Sequence, residues 1–193
     1  MQSVMRRETI LTENNPPLLP LQNMADRHQA LTPSLAGSYL EAARVCLDRH
    51  HVSPKEFILE NDRVESIAKV EWEATDSRVQ AAWANADDAT RDGAYAIAIA
   101  ATEFLRGMVA VHRAETKTGA DYYIAPIGEE LEDLENWWRL EVSGTNSDKS
   151  AVKKRLLIKC AQARQGKSNL PALAAVVGFR VQLILLQTVD GAS

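Results

Sequence analysis

The chain has 193 residues, a length that favours one domain and suffices for a real hydrophobic core. Its apolar content of 46% and charged content of 25% are ordinary for a soluble globular protein. A net charge of -4 excludes a protein coated in positive charge for nonspecific nucleic-acid binding, while leaving room for a local basic patch.

Residues 1–34 lack periodicity and contain Asn14-Asn15-Pro16-Pro17 and Pro20. They read as an N-terminal arm that orders against a partner. Arg6 and Arg7 are followed by no continuous apolar stretch, so no secretory signal is expected. Residues 35–86 form an N-terminal extension of one helix and two strands. Thr32-Pro33-Ser34 starts the helix, and Leu35, Tyr39, Ala42, Ala43 and Cys46 recur at helical spacing toward His50-His51. Phe57–Glu60 and Ile67–Ala74 are the strands, joined by Arg63–Ser66, and a short helix at Ser77–Trp83 follows.

The remaining residues, 87–193, form the expected core. Asp87-Asp88-Ala89-Thr90 opens a helix over Ala89–Leu105 that is apolar nearly all round and so should be buried. Strands follow at Met108–His112, Asp121–Ala125 and Trp137–Ser143, with an acidic loop at Gly128–Glu135 before the third. A basic helix then runs from Asp148 to about Gln165, and two apolar strands, Ala172–Phe179 and Val181–Thr188, close the chain. The apolar runs are too short to span a bilayer, so a cytoplasmic protein without membrane contact is expected. Cys46 and Cys160 sit in apolar helical patterns and read as buried free thiols.

Alternate side chains of a strand share a face, so Arg139, Glu141 and Ser143 point one way and Trp138, Leu140 and Val142 the other. If the strand of Asp121 pairs with that of Glu141, the two carboxylates converge within reach of one cation. Two carboxylates and a main-chain carbonyl suit Mg²⁺ (or Mn²⁺), a hard ion that takes oxygen ligands. On the next helix Arg155, Lys159 and Gln162 form one stripe, and no acidic residue interrupts Lys149–Lys167. Arg155, Lys153 and Lys154 are the candidate contacts to nucleic-acid phosphates.

Other residues have plainer readings. His50-His51 has no zinc-spaced partner and reads as a helix-end pair. Of Trp137 and Trp138, one must face the core, and the other could stack on a base. Ser143 has no evident His–Asp partners for serine hydrolysis.

The order α-β-β-β-α-β, with Gly119-Ala120-Asp121-Tyr122-Tyr123 at the second strand and Arg139-Leu140-Glu141-Val142-Ser143-Gly144 in the third, resembles the PD-(D/E)xK restriction-endonuclease-like superfamily. It is also similar to a family of uncharacterised bacterial proteins with Thr-Gly-x-Asp-Tyr and Arg-Leu-Glu-Val-Ser-Gly segments. The resemblance covers roughly Ala89–Val189. It implies an α/β (α+β) fold with an αβββαβ core, and metal-dependent hydrolysis of phosphodiester bonds, with DNA as the expected substrate and bacterial defence as a setting. Asp121 and Glu141 would hold the metal. The superfamily usually carries Lys where Ser143 stands; some members supply it from the following helix, which points to Lys159 as the catalytic lysine and Gln162 as its support. Asp92 and Glu103 are candidates for a further carboxylate on the first core helix. The alternative is an inactive nuclease-fold subunit that binds a protein partner or a second copy of itself, favoured by Ser143 and the Pro-rich arm.

Overall fold

The computed structural model describes residues 15–115, 118–128, 136–165 and 168–189. The acidic stretch Glu129–Glu135, Gly166 and Lys167 lie outside the described residues, as do residues 1–14. In chain order the elements are α1 (Met24–Arg27), α2 (Pro33–Asp48), β1 (Lys55–Asn61), β2 (Val64–Val70), α3 (Ser77–Ala82) and α4 (Ala86–Arg106). Then come β3 (Met108–Arg113), β4 (Tyr122–Pro126), β5 (Trp138–Thr145), α5 (Lys149–Gln165), β6 (Ala172–Gly178) and β7 (Leu183–Val189). The fold is mixed α/β, with all seven strands in one sheet of order β2-β1-β7-β6-β5-β4-β3. β3, β4 and β5 form an antiparallel meander, and α5 carries the chain across to β6, which pairs parallel to β5. Among the described residues no helix is long and apolar enough to cross a membrane.

Alternation along the central strands divides the core in two. Leu140, Val142, Leu173, Ala175, Val177, Ile184 and Leu186 face α2 and α4 in the main cluster. Ala172, Ala174, Val176, Leu183 and Leu185 face α5. Small residues let the backbones on the α4 side approach closely. A Cβ on Gly144 of β5 would lie 2.5 Å from the Thr90 carbonyl oxygen of α4, and one on Gly93 of α4 would lie 2.8 Å from the Ala43 Cα of α2. β5 runs on through Gly144 to Thr145, past the expected end at Ser143.

The N-terminal arm differs most from expectation. Its described part packs on the body, with Leu19, Leu21, Met24 and Leu31 buried in the main cluster. It also pairs with both sheet edges: Leu19 N donates to Lys69 O on β2, and Ala30 N donates to Ala110 O on β3. Open edges expose unpaired backbone groups, and this segment covers part of each. His28 is fully buried; its Nδ1 accepts from Ala110 N and its Nε2 lies 3.0 Å from Glu103 Oε2. Leu19, Leu21 and Leu31 reach the core from irregular chain and Met24 from the one-turn α1, so together they follow no helical or strand period.

The helix-and-hairpin extension likewise joins the common sheet, through parallel pairing of β1 with β7. The hairpin turns on Asp62 and Arg63, both at positive φ (47° and 71°). The expected connection, Arg63–Ser66, is thus shorter and one residue earlier, and Val64–Ser66 already belong to β2. The second strand stops at Val70 rather than Ala74, because Trp72 turns away to donate its Nε1–H to Asp48 Oδ1 at 2.6 Å.

Candidate active site

The register Tyr122↔Leu140, continued by one residue, sets Asp121 opposite Glu141. Asp121 N donates to Leu140 O at 2.8 Å, which fixes this end of β4 against β5. Both Asp121 oxygens are engaged. Oδ1 accepts from Tyr95 Oη of α4 at 2.8 Å, and Oδ2 accepts from Val142 N of β5 at 2.8 Å. The carboxylate is thus held by one helix and one strand, with lone pairs still free on each oxygen.

Glu141 is 8% exposed and lies on the α5 face of β5. Lys159 Nζ, from α5, donates to its Oε2 at 3.1 Å. Burial, and next the charge of Asp121, push the Glu141 carboxyl well above the usual carboxylate range, to about 7, against the opposing pull of Lys159. One lysine does not offset the repulsion and desolvation of the pair, which is the electrostatic condition a divalent cation relieves.

Behind Asp121 lies a buried phenol network. Tyr39 and Tyr122 hydroxyls are 2.9 Å apart, and Arg113 donates to Tyr39 Oη at 2.8 Å and Tyr95 Oη at 3.4 Å. The Arg113 guanidinium also lies 4.7 Å from the Tyr95 ring centroid and 4.5 Å from that of Tyr122. Burial and then the Asp121 charge push the Tyr95 phenol up, so it remains a donor to Asp121.

In front of Asp121 is an open cleft of about 530 Å³, lined also by Asp87, Thr90, Arg91 and Tyr95 of α4, Val142–Gly144 of β5, and Arg155 and Lys159 of α5; Glu141 is not among its lining residues. Arg155 donates through Nη1 to Ser143 Oγ at 3.2 Å. A larger cleft, about 640 Å³, opens beside Asp48 and Trp72. Its half-buried carboxylate is already consumed: Asp48 accepts from Trp72 Nε1 and from the Thr75 amide and hydroxyl. That makes it a structural hub.

The predicted residues therefore fall into groups. Asp121, Glu141 and Lys159 come together. Gln162 is exposed and lines the neighbouring cleft with Lys154, Arg155 and Lys159, one turn beyond the pair. Lys153 lines neither cleft. Asp92 and Glu103 are not at the site: Asp92 pairs with Arg91, and Glu103 pairs with Arg27 and His28 at the far end of α4. Arg139 is also structural, since its guanidinium donates to the Ala163 and Leu170 carbonyl oxygens at 2.8 and 3.1 Å and so caps the end of α5. Of the tryptophans, Trp138 packs against the main core, while Trp137 lies beside Tyr123 and His112 with centroids 5.6 and 6.3 Å away. His51 accepts no metal role: its Nε2 donates to the Phe179 carbonyl oxygen at 2.7 Å.

No protein-family model, curated protein or solved structure matches this chain significantly. The site stands on its own geometry. That geometry adds residues the sequence reading missed. Asp87, Arg91 and Tyr95 follow one another at i, i+4 and i+8, a polar stripe on an otherwise alanine-rich helix, and this stripe was the available signal. Arg113, at the end of β3, had none. Among the described residues, no three His, Cys, Asp or Glu side chains form a metal-binding group. The donor set is the Asp121–Glu141 pair.

Proposed function

We propose that this chain is a divalent-metal-dependent phosphodiesterase acting on nucleic acid, DNA first among the candidates. The observation that carries the reading is the facing pair of Asp121, which lines the cleft, and the buried Glu141, with Lys159 3.1 Å from Glu141. Two hard carboxylates fit Mg²⁺, which keeps several waters and takes few protein ligands. When bound, such an ion polarises a phosphoryl oxygen and makes hydroxide available near neutral pH. Asp121 and Glu141 would hold it, and Lys159 would place positive charge where charge develops on the phosphoryl group. Ser143, at the in-strand position of a PD-(D/E)xK lysine, carries Arg155 on its hydroxyl, so the amine beside the pair comes from α5. The run α4-β3-β4-β5-α5-β6 supports reading this part as an αβββαβ nuclease-like core by analogy of order alone.

The test is cleavage of labelled DNA and RNA with Mg²⁺ or Mn²⁺. Glu141→Ala should abolish cutting, and Lys159→Met should slow it by about 10²–10³-fold. Cutting that survives Glu141→Ala unchanged would sink the assignment.

A second reading, a non-catalytic subunit on the same scaffold, is favoured by the absence of a third acidic ligand among the described residues. It predicts no metal-dependent cleavage and a stable stoichiometric complex in light scattering of the co-purified protein.

A further inference from the structure

The cleft in front of Asp121 does not end there. A second one, about 540 Å³, shares Ser143, Arg155 and Lys159 with it and continues past Thr145 to Ser147 and Ala151 at the foot of α5. The two make one groove along the end of β5. Its near part is lined by Asp121 and by Lys159, which pairs with the buried Glu141. Its far part is lined by Lys154, Arg155, Ser143 and Ser147 and, among the described residues, by no carboxylate.

The charges in the two parts are not equivalent. Lys159 is engaged by Glu141, and Arg91 by Asp88 and Asp92. Lys154 and Arg155 have no acidic partner among the described residues. Arg155 spends one donor on Ser143 Oγ at 3.2 Å, which fixes the guanidinium at the groove wall. A guanidinium carries five N–H donors in a fixed fork, so most of its recognition capacity still faces the groove. In a chain of net charge -4, two cations on one groove wall without counter-ions among the described residues are a local anion seat.

We propose that Arg155 and Lys154, with the hydroxyls of Ser143 and Ser147, form a second phosphate seat, distinct from the acidic pair, and that the ligand class is a polynucleotide strand. This rests on the phosphodiesterase reading. A mononucleotide or phosphomonoester places its phosphate at one position only. A strand presents phosphates at successive positions, so one can lie at the acidic pair while a neighbour occupies the far seat. The Arg155 fork suits two phosphate oxygens at once, and Lys154 adds a point charge. Such contacts position a backbone and carry no sequence information, so binding should be tolerant of sequence and steeply dependent on salt.

The experiment is fluorescence anisotropy of end-labelled DNA and RNA oligonucleotides on the full chain in EDTA, where no cutting occurs, titrated from low to physiological salt. Lys154→Gln/Arg155→Gln should weaken binding by about tenfold or more and lower the slope of log K against log salt by about one to two. Arg155→Lys should restore less than half of the loss in log K. Arg78→Gln, an exposed cation on α3, should bind as wild type. Both changed residues of the double variant are exposed, and an unchanged melting temperature confirms its fold. Inorganic pyrophosphate should compete with wild type far better than with the double variant. Binding unchanged by the double variant, or weakened equally by Arg78→Gln, overturns the seat. A strand bound through Arg155 yet never cut with Mg²⁺ or Mn²⁺ leaves the seat standing and removes the phosphodiesterase reading. Cutting by wild type that the double variant matches does the reverse.

Discussion

Helix α4 buries twelve of its 21 residues, while α5 on the opposite face of the sheet buries three of its 17. The difference is one of attachment. α4 is clamped by backbone-close packing at Gly93 and Gly144, against α2 and β5. α5 sits on a narrow strip of Val152, Cys160 and Ala163, with Leu156 partly buried beside them. The site draws on both walls. Asp121 is buttressed by Tyr95 from the clamped helix, and Glu141 is met by Lys159 from the lightly seated one. The close-packed wall fixes Asp121, and the open wall leaves Lys154 and Arg155 to the groove.

The sharpest way to break this contrast is to wedge the tight wall. Gly144→Ala puts a methyl 2.5 Å from the Thr90 carbonyl oxygen, an atom of helix backbone that cannot swing aside. Overpacking of this kind costs about 1–3 kcal/mol, so the melting temperature should fall by roughly 2–12 °C. A variant as stable as wild type would show that α4 and β5 are not clamped.

Glu141→Gln tests the cost of the acidic pair. The folded pKa of Glu141, about 7, lies above its ordinary value of 4.5. Its contribution to stability is therefore full below about pH 4.5 and is lost as pH rises through about 7. Glu141→Gln, which cannot ionise, should gain stability relative to wild type between pH 5 and pH 8, by on the order of 1–3 kcal/mol. Thermal melts across that range measure it. Millimolar Mg²⁺ should raise the wild-type melting temperature at pH 8 and leave that of Glu141→Gln unmoved, as expected for an ion that binds the folded pair.

Tyr95→Phe removes the donor to Asp121 Oδ1 while keeping the ring beside Tyr39 and Tyr122. Groups that orient a metal-binding residue typically contribute 10–100-fold in affinity, so Mn²⁺ binding followed by electron paramagnetic resonance should weaken by about that factor. An unchanged affinity would mean that Val142 N alone holds Asp121. The smallest effect belongs to the outer side of α5. Leu157 is 72% exposed, and Leu157→Ser should change stability by less than about 0.5 kcal/mol.

Much of this was legible one residue at a time. Alternation in Arg139–Ser143 placed Glu141 and Ser143 on one face, and the helical stripe of Arg155 and Lys159 put the amine over it. The apolar surround of Ala89–Leu105 announced a buried helix. The misses share a physical cause. Asp92 and Glu103 looked available because sequence spacing is blind to partners; Arg91, Arg27 and His28 claim them through contacts up to 76 residues apart. Arg139 looked like a companion of Glu141, but its guanidinium reaches the end of α5 instead. The N-terminal segment had no period to read, since its burial comes from docking on strand edges formed far away in sequence.

By itself the sequence determined the local elements, the inward face of β5 and the residue types able to bind a hard cation or a phosphate, because strand and helix periods are set by backbone geometry. Only the tertiary structure decided which carboxylates meet. The register of β4 on β5 brought Asp121 opposite Glu141, the crossover through α5 brought Lys159 to the same face, and the close approach at Gly144 brought Tyr95 behind Asp121. The raised Glu141 carboxyl follows from that convergence. Burial and like charge are properties of neighbours in space, and no single stretch of the chain contains them.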